Sequence, residues 1–270
     1  MTSLTHAYPL KLPQDITLHH QLDMLREIVM HAAQKLLAEL WSDHWIDTLA
    51  AKHKQKNKAY KVINEQRVSL TIPPGRVVYL PSRIRRCIAE LVGRILRSQF
   101  IRKQCYYDVL RIVQITGVAG NLDKLVRTVA LTLANFDGKY YRWALIRQTL
   151  RMFRRYYYQL GLDLRLLQQF PYSTVITPRI QSFAFPYSPD EGQAIRYDWH
   201  EDLHSISIQM KVPCRPHPIQ RSHWVWQEFI LPIPGKIQPR ITSPNSKLRA
   251  PTLRYITLKG GLTLPFLECA

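Results

Sequence analysis

Residues 80–107, LPSRIRRCIAELVGRILRSQFIRKQCYY, constrain this chain more than any other stretch. Ser82 follows Pro81 at the position a helix N-cap takes, and an unbroken helical pattern runs on from it. At about 100° per residue, Ile84, Ile88, Leu91 and Ile95 fall on one face. Arg83, Arg86, Arg94 and Arg97 fall on a second face, roughly opposite. The pattern predicts one long helix that begins after Pro81 and runs to about 116, where Gly117 and Gly120 break it. One side of such a helix must be covered, while the other presents a row of guanidinium groups compensated only by Glu90. An ordinary solvated face is the plain alternative. The charge balance of the chain favours a face turned towards phosphate.

Lysine and arginine number 38 against 19 acids, a formal net charge of +19. Clustered Arg and Lys are rewarded by a polyphosphate backbone through counterion release, so nucleic acid is the leading partner class and an anionic membrane the rival. No apolar run is long enough for a transmembrane helix, and residues 1–13 show no secretory pattern. The expected compartment is therefore the cytoplasm, with association to the nucleoid as an extension of it. Cys87, Cys105, Cys214 and Cys269 form no CxxC pair, so free thiols are expected rather than a zinc ribbon or redox motif.

Residues 6–12 read as a short strand that Pro9 and Pro13 restrict to a sheet edge or a strand end. A long helical pattern, about 17–51, follows with Leu18, Leu22, Leu25, Val29, Leu36 and Leu40 recurring, Asp15 and Thr17 both able to cap it. Trp41 and Trp45 read as helix-contact aromatics. Residues 52–61 carry five lysines and no acid, as a solvated segment or a phosphate contact does. Residues 68–79 read as extended.

Further helices are expected at about 121–134 and 139–159. In the second, Trp143, Ile146, Leu150, Phe153 and Tyr157 line one side, with Arg147, Arg151, Arg154 and Arg155 beside them. Tyr156 and its neighbours interleave aromatics with that charge, a combination suited to stacked bases and paired phosphates. From about Phe170 the period changes. Short runs at 173–177, 179–185, 204–211, 224–231, 253–258 and 262–267 read as strands of a barrel or sandwich, which the N-terminal strand joins.

The cluster Asp198, His200, Glu201, Asp202 and His204, with Cys214 and His217 downstream, is the one set suggesting metal or catalysis. Its spacing matches no metal-site pattern, and a polar loop is the alternative. There is no Gly-rich phosphate loop, no GxSxG elbow and no HExxH. No catalytic residue, metal or cofactor is expected.

Four segments carry a resemblance to a known family: HAYPLKL before a long helix, LPSRIRR opening the central one, HWVWQEFILPIP, and KLRAPTLRYITLKGGLTLPFLE. Their order resembles the N-terminal half of transposon-encoded TnpB proteins and the related type V CRISPR effectors. The resemblance implies an α+β chain in which residues 1–13 and 170–270 form a small antiparallel, wedge- or OB-like β-barrel and residues 14–169 a helical recognition-like insertion. It implies binding to a guide-type structured RNA, with duplex DNA as a second partner. The family's RuvC-like nuclease domain would follow the last strand, and no catalytic residue is carried over. A truncated element, half of a split protein or a retained RNA-binding module all fit.

The expected nucleic-acid contacts are Arg83, Arg86, Arg94 and Arg97, then Arg147, Arg151, Arg154, Arg155 and Tyr156, and near the C-terminus Arg249 and Arg254. One alternative is an interaction subunit that docks on a separate nuclease chain through an apolar barrel edge around Leu264 and Phe266. The other is a metal-dependent hydrolase built on residues 198–204. No membrane partner is expected.

Overall fold

Asp15 starts the first helix. Its Oδ1 accepts the backbone N–H of Thr17 at 2.8 Å and of Leu18 at 3.2 Å, which makes it the cap rather than Thr17. The computed structural model describes residues 8–10, 15–54, 59–64, 71–72, 76–116, 141–159, 165, 168, 180, 184–186, 195–200, 204–236, 238–241, 252–257 and 263–269. The helix α1 spans Ile16–Glu39 and buries Leu18, Leu22, Leu25, Val29, Leu36 and Leu37.

The single helix expected to 51 is two. After a break at Trp41 and Ser42, α2 spans Asp43–Lys54, and Ser42 caps it by accepting the Trp45 N–H at 3.4 Å. A short helix, α3, spans Ala59–Asn64. The strands β1 (Tyr8–Leu10), β2 (Thr71–Ile72) and β3 (Arg76–Val77) lie in the same N-terminal third, and β2 and β3 pair as a small hairpin.

The central helix, α4, spans Ser82–Thr116. The Pro81 carbonyl accepts the first helical bond, from the Arg85 N–H at 3.0 Å, so Ser82 is the first helical residue and not the cap. Downstream, α5 spans Trp143–Gln159, and the strands are β4 (Ala184–Pro186), β5 (Ile195–His200), β6 (Ser205–Pro213), β7 (Trp224–Pro232), β8 (Thr252–Thr257) and β9 (Thr263–Cys269). A one-turn helix, α6, spans Gln238–Ile241.

The chain divides into two compact units. The first comprises Met1–Glu39, Lys58–Gly93 and Arg179–Ala270, and holds every described strand; the second comprises Leu40–Asn57 and Arg94–Pro178. These lines differ from a division at 13/14 and 169/170, because α1 packs against β6 and so belongs with the sheets.

The fold class is α+β. Within the first unit the strands form open antiparallel sheets ordered β1-β9-β8-β4 and β5-β6-β7, beside the β2-β3 hairpin. Among the described residues no ladder closes these into the expected barrel; each larger sheet ends in two edge strands. The core supplies a reason. One face of β6, with Ile206, Ile208, Met210 and Val212 all buried, belongs to a strand that packs against helix α1.

β1 pairs with β9 at the sheet edge, Leu10 opposite Leu267, where a proline at position 9 is tolerated. β9 is consequently not an edge strand along its length. β8 pairs with residues 263–268 of it, and β1 covers residues 267–269 but not Leu264 and Phe266. The segment read as a polar loop near Asp198 is in part a strand, β5, paired residue by residue with β6. Of the expected strand at 179–185 only residues 184 and 185 lie in a described strand, β4, while Ile180 is outside it, buried with its N–H bonded to Gln34 Oε1 at 2.9 Å. The helix expected at 121–134 and the strand at 173–177 lie outside the described residues.

Candidate nucleic-acid interface

The sequence of α5, WALIRQTLRMFRRYYYQ, contains four arginines and no acid. Ile146, Thr149, Leu150, Phe153 and Tyr157 are its buried residues, recurring at three- and four-residue steps as one helix face must. Within the second unit, Phe153 packs against Tyr106 of α4 with ring centroids 5.8 Å apart, and stacks on Tyr157 at 6.4 Å. Just before α5, the Tyr141 hydroxyl donates to Asp108 Oδ2 at 2.6 Å, anchoring the helix start to α4. Burial, reinforced by the Asp108 carboxylate, raises the Tyr141 pKa, so this hydroxyl stays a donor. Burial likewise raises the Cys105 thiol, against the opposing effect of a hydrogen bond with Thr149. Cys105 is therefore an inert core thiol.

Most of what remains on α5 faces solvent. Arg147, Arg151, Arg154 and Arg155 are all exposed. Trp143 and Tyr158 are 51% and 55% exposed, unusual for large aromatics. At about 100° per residue, Trp143, Arg147, Arg151, Arg154 and Tyr158 share one stripe. Two open rings thus bracket three guanidinium groups along about 22 Å of helix. Arg154 lies 5.9 Å from the Tyr158 ring centroid, within cation–π range. Among the described residues no carboxylate pairs with Arg147, Arg151 or Arg155.

Two expectations change here. Trp143 belongs to the arginine stripe and not to the buried side, because it sits in the first turn, before the helix packs. Tyr156 is only half exposed, and the open tyrosine is Tyr158. Exposure separates Tyr158 from Tyr157, which is 8% exposed; a run of three tyrosines in sequence offers no such distinction.

The α4 row is differently placed. Arg83 and Arg86 fall in the part of α4 that belongs to the first unit, Arg94 and Arg97 in the part that belongs to the second. Arg94 is exposed, while Arg83, Arg86 and Arg97 are half-buried, and all four take part in interactions within the chain. The buried face of this part of the helix centres on Ile88, Val92 and Leu96, with Ala89 and Gly93 also buried. Leu91 and Ile95 are only half-buried. Measured from that face the arginine row is opposite, as expected, but the apolar face has turned towards the small residues.

Further along α4, Lys103 holds α2 through Asp43 at 2.7 Å and Asp47 at 2.9 Å. Burial alone would lower the pKa of this ammonium; the hydrogen bonds and charges of the two carboxylates outweigh it and raise it. Lys103 is a structural cation.

Arg254 lies in β8, in register with Phe266 of β9 and Ala184 of β4, and Arg249 lies outside the described residues. Of the proposed metal cluster, Asp198 and His200 lie in β5, while His204 occupies a left-handed turn (φ 46°) leading into β6. Glu201 and Asp202 lie outside the described residues. Among the described residues no three His, Cys, Asp or Glu side chains converge on a metal-sized site, and no helix is long and apolar enough to cross a membrane.

Neither a protein-family model nor a curated protein matches this chain.

Proposed function

We propose that this chain is a nucleic-acid-binding module whose principal contact with single-stranded RNA is the exposed stripe of α5. The observation that supports it is the joint exposure of Trp143 and Tyr158 on the same stripe as Arg147, Arg151 and Arg154, on a helix with no acid. Open rings give successive bases a stacking surface, and guanidinium groups between them take the phosphates. Such a site is indifferent to sequence, because every base has a π-face and every linkage a charge.

The sequence resemblance extends this reading. A TnpB-like N-terminal part, with a wedge-type strand unit and a helical recognition part, would bind a structured guide-type RNA and leave sequence reading to base pairing. In that arrangement the α4 arginines are phosphate contacts secondary to α5, and duplex DNA is a second partner.

Affinity for a single-stranded RNA oligonucleotide, measured by fluorescence anisotropy, tests the proposal. Trp143→Ala and Tyr158→Ala should each weaken binding by about 1–3 kcal/mol while leaving the salt slope as it was, since stacking carries no counterion release. Equal affinity of the double variant and the parent would reject α5 as a stacking surface.

A further inference from the structure

The three-stranded sheet of the first unit packs on α1 and has an opposite face that is open around Arg196, Trp226 and Glu228. The open face is read off the register. One row across the strands is Arg196, Gln209 and Glu228; the next pairs Lys211 with Trp226. Trp226 is 38% exposed, on a strand whose inward neighbours Phe229 and Leu231 are buried. Two cations converge on its indole: the Arg196 guanidinium 4.7 Å from the ring centroid and the Lys211 ammonium 5.3 Å from it. Arg221, exposed in the turn just before β7, lies close enough to Lys211 for their charges to interact.

Like charges gathered this closely need an explanation. The nearby carboxylate of this face, Glu228, is engaged elsewhere: its Oε1 accepts from Ser207 Oγ at 3.0 Å and from Gln209 Nε2 at 3.2 Å. Asp198 lies on the same face opposite Ser207, one row beyond Arg196 and two beyond the Lys211–Trp226 pair. Burial together with the charges of Arg221 and Arg196 lowers the Lys211 pKa, the response of an ammonium whose neighbours are cations. A cation cluster around a partly open ring is complementary to an anion carrying a flat apolar group.

We propose that this sheet face is a second site for single-stranded nucleic acid, with one base on the Trp226 indole and its phosphate among Arg196, Lys211 and Arg221. It rests on the nucleic-acid reading for the class of ligand but uses no residue of α5. The chemistry is that of sheet-based RNA readers, in which an aromatic on an open strand takes a base and flanking cations the backbone. Trp226 sits on a strand paired with β6 and held just before the site. Its neighbour Trp224 donates Nε1–H to the Tyr79 carbonyl at 2.9 Å, and the Tyr79 N–H bonds the Pro218 carbonyl at 2.7 Å. The ring is thereby positioned before any ligand arrives.

The test uses the full chain and a single-stranded oligouridylate carrying one photoreactive 5-iodouridine, with cross-linked peptides located by mass spectrometry. The proposal expects cross-links within β7 at Trp226, and a loss of affinity of roughly 5-fold or more for Trp226→Ala that Trp226→Phe largely restores. Arg196→Gln with Lys211→Gln, two changes at the surface, should lower the same cross-link in protein whose melting is unchanged. Cross-links confined to α5, with full affinity in the Trp226 and Arg196/Lys211 variants, would overturn this site and leave α5 standing. No oligonucleotide binding by the parent chain would overturn both. Binding to phosphatidylserine vesicles that depends on Arg196 and Lys211, without RNA cross-linking, would overturn it in favour of a membrane surface.

Discussion

Replacing Arg147, Arg151 and Arg154 with Gln removes three charges from one helix face without touching its packing. All three are exposed, whereas the residues that hold α5 in place, Ile146, Leu150 and Phe153, are buried. Exposed substitutions of this kind shift stability by about 0.5 kcal/mol or less, so the variant should melt with the parent. Binding should change in a defined way. Each phosphate neutralised on a single strand contributes about 0.7 to the slope of log K against log salt. Three lost contacts flatten that slope by about 2.1, and over a fourfold rise in salt, from about 50 to 200 mM, this amounts to roughly an 18-fold change. The ratio of parent to variant affinity should therefore shrink by roughly that factor across the titration. Anisotropy with a short oligouridylate at several salt concentrations gives both slopes. Parallel lines for the two proteins would refute the reasoning even if the variant bound more weakly, because the arginines would then act through something other than phosphate contact.

Asp15→Ala removes the cap of α1 and should cost about 1 kcal/mol in denaturant unfolding, with Asp15→Asn keeping most of it. Lys103→Met leaves Asp43 and Asp47 without their shared partner and should destabilise the second unit by about 0.5–1 kcal/mol. Because the folded Lys103 pKa is raised above 10.5, that stabilisation is fully present at neutral pH and disappears only as pH rises through the folded value; a parent-variant difference already lost at pH 8 would contradict it. His223 behaves in the opposite sense. Its Nδ1 accepts the Ile219 N–H at 3.1 Å, and burial, with Arg215 nearby, lowers its pKa below 6.5. The neutral ring is the folded form, so hydrogen-exchange protection of Ile219 should persist at pH 7 and be lost as pH falls through the folded pKa. Phe153→Ala, at a side chain 1% exposed between Tyr106 and Tyr157, should cost about 3–5 kcal/mol and abolish RNA binding by unfolding, with both losses appearing together in circular dichroism and anisotropy.

Much of the fold was legible where the chain carries punctuation. The bounds of α4 follow from a proline before it and glycines after it, and β6 from a clean alternation with turn residues at each end. The break between α1 and α2 was not, because Leu40, Ile46 and Leu49 continue the apolar recurrence without Gly or Pro; Ser42 before Asp43 was the available signal. β5 was missed for a related reason. Its residues IRYDWH put Arg196, Asp198 and His200 on the open face of a sheet, so polarity there marks a surface and not a loop. On α4 the buried arc is carried partly by Ala89 and Gly93, which a count of large apolar residues overlooks. The arginines of the candidate interface were all readable from their spacing on α5. Which aromatics accompany them was not, since exposure of Trp143 and Tyr158 depends on how Phe153 and Tyr157 pack. The Trp226 cluster needed strand register, which no local pattern supplies.

The central claim is that α5 holds RNA, and recovery of RNA from cells tests it most directly. The parent chain and the Arg147/Arg151/Arg154→Gln variant, expressed side by side and purified at moderate salt, would have their bound RNA sequenced. The account predicts RNA bound to the parent that is depleted from the variant. The same bulk ribosomal and transfer RNA with both proteins, released equally by salt, would contradict it.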